Sequence, residues 1–192
     1  MGLITKLADT SLFLQEWLNS PRCIASVVPS SKKLSLAMAR WVPLAVEGYV
    51  VELGPGTGAV TKVLLEHGVP EHRLVAVERT PVLADLLTQR FRAAQIITGD
   101  ALDLSRLLRR HVKTDLPVIA VVSSLPLRHF SEKDARSLSR QIHDTLPKGG
   151  CWMQYSYHLG QERPEGTSAF RVIHSDVVWM NIPPARVTVY QK

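Results

Sequence analysis

Cysteine is nearly absent from this chain: two residues, Cys23 and Cys151, in 192. They lie far apart and form no C-x-x-C pair. A zinc site and a disulfide framework are both excluded, and buried free thiols are expected. Long apolar runs are lacking as well. The longest, Leu116 to Leu127, is interrupted by Pro117 and Pro126 and is too short to cross a bilayer. The N-terminus has no basic stretch leading into a long apolar one, so no secretory leader is expected. No G-K-[ST] follows the glycine-rich segment, which excludes a P-loop. No metal-ligand cluster, His-Asp pair, internal repeat or linker stands out. A chain of this length without a linker is expected to fold as one domain with a sizeable core.

What is present is positive charge. The formal net charge is +6 and the sequence pI about 9.6, which favours an anionic partner, either nucleic acid or an anionic membrane surface. Between Met1 and Trp41 five cations (Lys6, Arg22, Lys32, Lys33, Arg40) face two acids (Asp9, Glu16). Half of the surplus therefore sits in the first fifth of the chain, where contact with phosphate headgroups is expected.

The pivot of the sequence is Val50-Val51-Glu52-Leu53-Gly54-Pro55-Gly56-Thr57-Gly58. It reads as a buried strand, a tight turn and the start of a helix. Glycine at the turn lets backbone approach a ligand with no Cβ in the way. Around it the chain alternates strands and helices. Strands are expected at about 49–53, 73–77, 95–98, 118–123 and 151–157, with helices at 57–67, 81–92, 103–111 and 131–146. Two further strands, 170–180 and 186–190, close the chain. Repeated βα units predict a doubly wound, mostly parallel sheet with one antiparallel edge strand. Residues 1–48 precede this core and belong to the same domain. There the leucines of 3–19 recur at helical spacing. Such a helix either docks on the domain over a pocket or lies in a lipid interface with Trp17 at headgroup depth. A second helix is expected from an N-cap at Ser30 or Ser31 to about Val46.

Ligands of open α/β sheets bind at the carboxyl ends of the strands. That rule selects Glu52, Gly54, Gly56 and Gly58 after the first strand and Glu78 after the second. Glu78 is read as the acceptor of two ribose hydroxyls; the alternative is a surface carboxylate paired with Arg79. After the third strand Asp100 either accepts from an adenine amine or caps the next helix, and Ala101 offers a backbone N–H. After the fourth, Ser123-Ser124 face the reactive end of the cofactor.

The Glu-Leu-Gly-Pro-Gly-Thr-Gly segment, Glu78, Asp100 and Ser123-Ser124-Leu125-Pro126 resemble a class I S-adenosylmethionine-dependent methyltransferase with a Rossmann-like sheet of seven strands. Val28-Pro29-Ser30-Ser31, Gln154-Tyr155-Ser156-Tyr157 and Asn181-Ile182-Pro183-Pro184-Ala185-Arg186 extend the resemblance over nearly the whole chain. Within that class they are most similar to soluble bacterial phospholipid N-methyltransferases. The resemblance implies S-adenosylmethionine as cofactor and S-adenosylhomocysteine as product. It implies methylation of phosphatidylethanolamine towards phosphatidylcholine at the inner face of the cell membrane, bound through the N-terminal helix, with no nucleic acid and no obligate protein partner. The rival family, the rRNA adenine N6-dimethyltransferases, carries Asn-Leu-Pro followed by an aromatic that stacks the flipped base. Here Ser124-Leu125-Pro126-Leu127 lacks both the Asn and the aromatic.

An ammonium must lose its proton before it can attack a methyl group. The candidate bases are Tyr155, Tyr157 and His129. The tyrosine faces are also suited to hold a methylammonium by cation–π attraction, worth about 0.5–2 kcal/mol. Sheet packing for the tyrosines and a plain surface role for His129 are the alternatives. Ser31, Lys32, Arg128 and Arg186 are placed near the mouth of the pocket, the three cations for phosphate recognition.

Overall fold

The computed structural model describes residues 31–112, 115–160 and 165–192. The expected helix at 3–19, with Trp17, lies outside these residues, as does Cys23. The described chain begins with helix α1 (Lys32–Ala39), then runs β1 (Tyr49–Leu53), α2 (Ala59–Glu66), β2 (Leu74–Glu78), α3 (Pro81–Arg90) and β3 (Gln95–Thr98). It continues with α4 (Leu104–His111), β4 (Val118–Ser123), α5 (Glu132–Thr145), β5 (Cys151–Ser156), β6 (Arg171–Val178) and β7 (Ala185–Gln191). The strands form a single seven-stranded sheet in the order β3-β2-β1-β4-β5-β7-β6.

Pairing is parallel from β3 through β5, and β7 runs antiparallel to both of its neighbours. The reversed strand thus lies one position in from the edge. β6 outside it points the same way as the other five. Chain order reverses between β1 and β4, and that switch point opens a crevice beyond the carboxyl ends of the two strands. β1, β2 and β4 are apolar almost throughout because both faces of the sheet are covered. On one face Leu34, Met38, Val60, Val63 and Leu64 pack against Val50, Ala120, Met153 and Val187. On the other, Leu104, Leu107, Leu138 and Ile142 pack with Val51, Val121, Trp152 and Tyr190. Helix α1 is therefore integral to the core, not an appendage.

Helix α1 ends at Ala39 and does not reach Val46. Pro43 disfavours helical backbone in the residue before it. The last N–H groups make tighter bonds instead, Trp41 N to Met38 O at 3.2 Å and Val42 N to Ala39 O at 3.0 Å. β6 spans Arg171–Val178, so Trp179 and Met180 fall in the turn that follows. Cys151 is a buried free thiol, as expected, and burial pushes it up. Among the described residues no helix is long and apolar enough to cross a membrane, and no cluster of side chains suits a metal ion.

Candidate functional site

The first half of the site is built from backbone. At the end of β1 the chain turns through Gly54, Gly56 and Gly58, all with positive φ. Gly54 N donates to Val77 O at 3.0 Å, which ties the turn to β2. At Gly56 (φ 57°) a Cβ would meet nothing within 4 Å, so the bend is open to a ligand. Gly58 (φ 82°) is needed for a second reason: a Cβ there would lie 2.7 Å from Phe91 and 2.9 Å from Leu87. It caps α2, which must start close against α3.

Glu78 folds towards this turn. It is buried, and its carboxylate accepts from Gly56 N at 3.1 Å and from Thr80 N at 2.8 Å. Each oxygen retains a lone pair for another donor. The surface pair with Arg79 is not formed by Glu78; Arg79 faces Asp100 instead, at 4.0 Å. Asp100 caps the 3-10 turn 101–103, accepting from Leu102 N at 2.9 Å through Oδ1. Its Oδ2 faces the exposed Arg79. Ala101 is buried in that turn.

Glu52 lies fully buried behind the glycine turn. Thr61 Oγ1 donates to its Oε2 at 2.7 Å, while Oε1 finds no hydrogen-bond partner among the described residues. Burial pushes its carboxyl up to about 7, against the opposing bond from Thr61, and the Glu78 charge adds to the rise. A buried carboxyl with one idle oxygen is costly unless a donor or cation arrives to meet it.

The second half of the site is a cavity of about 630 Å³ beyond the ends of β4, β5 and β7. Its wall includes Ser124, Gln154, Tyr155, Tyr157, His129, Arg128 and Arg186. Ser123, by contrast, is fully buried behind it, its Oγ accepting from Leu125 N at 3.4 Å. The rings of Tyr155 and Tyr157 meet edge to face, with centroids 5.6 Å apart. Three buried wall oxygens, Ser124 Oγ, Gln154 Oε1 and Tyr157 Oη, have no hydrogen-bond partner among the described residues. The Tyr157 hydroxyl lies beside Tyr155 and Asn181 without a well-aligned bond to either, and burial first, then Tyr155, pushes it up to about 12. It is neutral at physiological pH, so it is suited to accept a hydrogen bond and poorly suited to act as a base.

Sequence reasoning placed Ser124 at the reactive end but gave Gln154 no role in the site. The available signal was a polar residue inside Cys-Trp-Met-Gln-Tyr, an otherwise apolar strand. The Gln154 amide is fixed by its two bonds to Leu125 O at 2.9 Å and Tyr155 O at 2.7 Å, which aims the carbonyl oxygen.

The cations are less gathered than expected. Arg128 and His129 are exposed at the cavity rim. Arg186 is committed to structure, donating to Leu159 O at 2.9 and 2.7 Å and to Ser175 Oγ at 3.1 Å. Lys32 is not at this mouth. It pairs loosely with Glu66 at 3.6 Å and borders a separate cleft with Lys62 and Arg90. Ser31 caps α1, its Oγ accepting from Leu34 N at 3.2 Å, and its backbone N donates to Asn181 Oδ1 at 3.0 Å.

A family profile described as a methyltransferase domain matches residues 50–150. An ornithine lipid N-methyltransferase from Singulisphaera acidiphila is 36% identical over 151 residues, covering 77% of this chain and 78% of its own length. A ribosomal RNA small subunit methyltransferase A from Streptococcus equi subsp. zooepidemicus is 40% identical over 80 residues, covering 40% of this chain and 27% of its own. Among solved structures, the N-methyltransferase NodS from Bradyrhizobium japonicum WM9, in complex with S-adenosylhomocysteine, superposes with a TM-score of 0.61. It is 14% identical and covers 95% of this chain and 98% of its own.

Proposed function

The chain belongs to the class I S-adenosylmethionine-dependent methyltransferases, and from that premise we propose that it N-methylates the headgroup amine of phosphatidylethanolamine at the inner face of the cell membrane. That it is an N-methyltransferase using S-adenosylmethionine is already given by its relatives. The observation that carries the finer reading is the 630 Å³ cavity with two tyrosines and three idle buried oxygens in its wall. Such a wall suits a small aliphatic amine. It offers acceptors for N–H groups and aromatic edges and faces for methylammonium, and it offers no aromatic at Leu127 to stack a base.

The residues present fit the cofactor. The open bend at Gly56 leaves room for close approach, Glu78 keeps lone pairs for ribose hydroxyls, and the idle Oε1 of Glu52 suits the positive amino-acid end. When bound, S-adenosylmethionine supplies a methyl group already activated by its sulfonium. The protein then has mainly to align the amine and keep water out. Ser124, Gln154 and Tyr157 orient the amine N–H groups. The Tyr155 ring narrows the space around it. His129, at the solvent side, passes the proton of the ammonium outwards.

One observation favours a second substrate: the relative from Singulisphaera acidiphila is an ornithine lipid N-methyltransferase. Ornithine also presents an aliphatic amine beside an anionic group. Incubation with radiolabelled methyl donor and separate vesicles containing phosphatidylethanolamine or ornithine lipid, with ribosomal RNA in parallel, tests both. Label in phosphatidylethanolamine is expected. Label in ornithine lipid alone moves the assignment to the second reading, and label in RNA alone overturns both.

A further inference from the structure

The turn between β6 and β7 is an ordered loop with apolar side chains directed into solvent. Trp179 is 70% exposed, Met180 68% and Ile182 84%. Between them Asn181 is buried and fixed: its Oδ1 accepts from Ser31 N at 3.0 Å and its Nδ2 donates to Pro183 O at 2.6 Å. The anchor holds the backbone while its neighbours point outwards. Three large apolar side chains within four residues, held outwards by a buried asparagine among them, are costly in water and mark a docking surface.

Its place in the fold says what docks there. β6 runs parallel to β1–β5, so its carboxyl end emerges on the same side of the sheet as theirs. The turn leads within two residues to Arg186 in the cavity wall, and Asn181 lies beside the Tyr157 hydroxyl. Lys33 extends along it, with Nζ 2.7 Å from Met180 Sδ, and Arg40 caps the end of the same short helix. The nearby acids are partly occupied: Glu66 pairs with Lys32, and Asp176 accepts from Val177 N at 2.8 Å. Tryptophan and long aliphatic side chains beside lysines match the boundary of an anionic bilayer, where rings sit at headgroup depth and cations meet phosphate.

We propose that the 179–184 turn inserts into an anionic lipid surface and seats the mouth of the cavity on it. This rests on the lipid reading above for its purpose, and it is a second contact beyond the expected N-terminal helix. An amphiphile whose tails stay in the bilayer can then raise only its headgroup into the cavity.

The test uses the full chain and a Trp179→Ser/Ile182→Ser variant, both side chains being exposed and outside the cavity wall. Vesicles of phosphatidylglycerol and phosphatidylethanolamine, with and without brominated acyl chains, serve as probe. Bromine quenching of wild-type fluorescence that exceeds the quenching left in the variant, the difference being the Trp179 share, is expected, together with about tenfold weaker co-sedimentation. Where methyl transfer is detected, KM for vesicles should rise about tenfold, with turnover unchanged on a short-chain monomeric lipid. Equal quenching and equal sedimentation of the two proteins would overturn the proposal. So would poor acrylamide quenching of Trp179 before vesicles are added, relieved by deleting residues 1–30, since the turn would then be covered by the chain itself. Docking is read from quenching and co-sedimentation, not from methyl transfer. Absence of lipid methylation by wild-type protein, with quenching intact, would instead remove the substrate reading and leave the membrane contact standing.

Discussion

The two halves of the crevice are made of different materials. The half at the tips of β1, β2 and β3 is backbone and carboxylate, tightly interlocked: Gly54 bonds to β2, and Glu78 bonds to Gly56. The half at the tips of β4, β5 and β7 is a cavity with aromatic rings in its wall and oxygens left without partners. On the proposed function the first half holds one invariable nucleoside and so can be rigid. The second would receive an amine, which suits acceptors and ring surfaces better than a fixed ion pair.

Breaking the interlocked half should have the largest effect. Glu78→Ala removes one hydrogen bond to the glycine turn, from Gly56 N, one from Thr80 N at the start of α3, and the acceptor proposed for the ribose. Cofactor affinity by calorimetry should fall about 100-fold, roughly 3 kcal/mol. Unchanged affinity would take Glu78 out of the site.

A pH titration tests the same half from behind. Glu52 has a folded value of about 7 against an ordinary 4.5. The folded state therefore holds its proton more tightly than the unfolded state does. The stabilising contribution is complete below about pH 4.5 and is lost as pH rises through about 7. Between pH 5.5 and 8 the cofactor-free protein should lose about 2 kcal/mol from this group. Glu52→Gln should remove that slope in denaturant unfolding measured across the range. A slope of equal size in the variant would place its origin elsewhere.

In the open half, Tyr157→Phe deletes a hydroxyl that bonds to nothing in the described protein. Thermal stability should hold or rise slightly, because no bond is lost. If that oxygen receives the substrate amine, kcat/KM should fall about tenfold, near 1.4 kcal/mol, with cofactor affinity unchanged. Equal loss of stability and activity would make the ring a packing element.

The contrast between the halves also explains what could be read from the chain. The strands β1, β3 and β4 and the glycine turn were legible because apolar runs and left-handed backbone leave marks in residue type. The end of α1 was not, since Trp41 and Val42 continue the apolar face while Pro43 forbids the helix. β6 was read two residues too far at its carboxyl end, and one too early at its start, the former for a similar reason: Trp179 and Met180 look like strand residues but stand in solvent. Positions across the fold were hidden too. Lys32 and Arg186 are both basic residues expected at one mouth. One borders another cleft, and the other is spent on the Leu159 carbonyl. An idle oxygen on Gln154 or Ser124 is a matter of three-dimensional bookkeeping that no spacing encodes.

The smallest effect separates a structural from a functional serine at the edge of the open half. Ser31 was expected near the substrate, yet its hydroxyl accepts from Leu34 N as the cap of α1. Removing an N-cap hydroxyl costs about 1 kcal/mol, which for a domain of this size lowers the melting temperature by about 2–4 °C. Ser31→Ala should therefore shift the calorimetric transition by that amount while leaving KM for lipid vesicles unchanged, because the bond to Asn181 comes from the backbone of residue 31 and survives the substitution. The opposite outcome, an unmoved transition with a raised KM, would make the hydroxyl a headgroup ligand. It would also extend the substrate site from the β5 and β7 tips across to α1, so that the helix would belong to the chemistry as well as to the core.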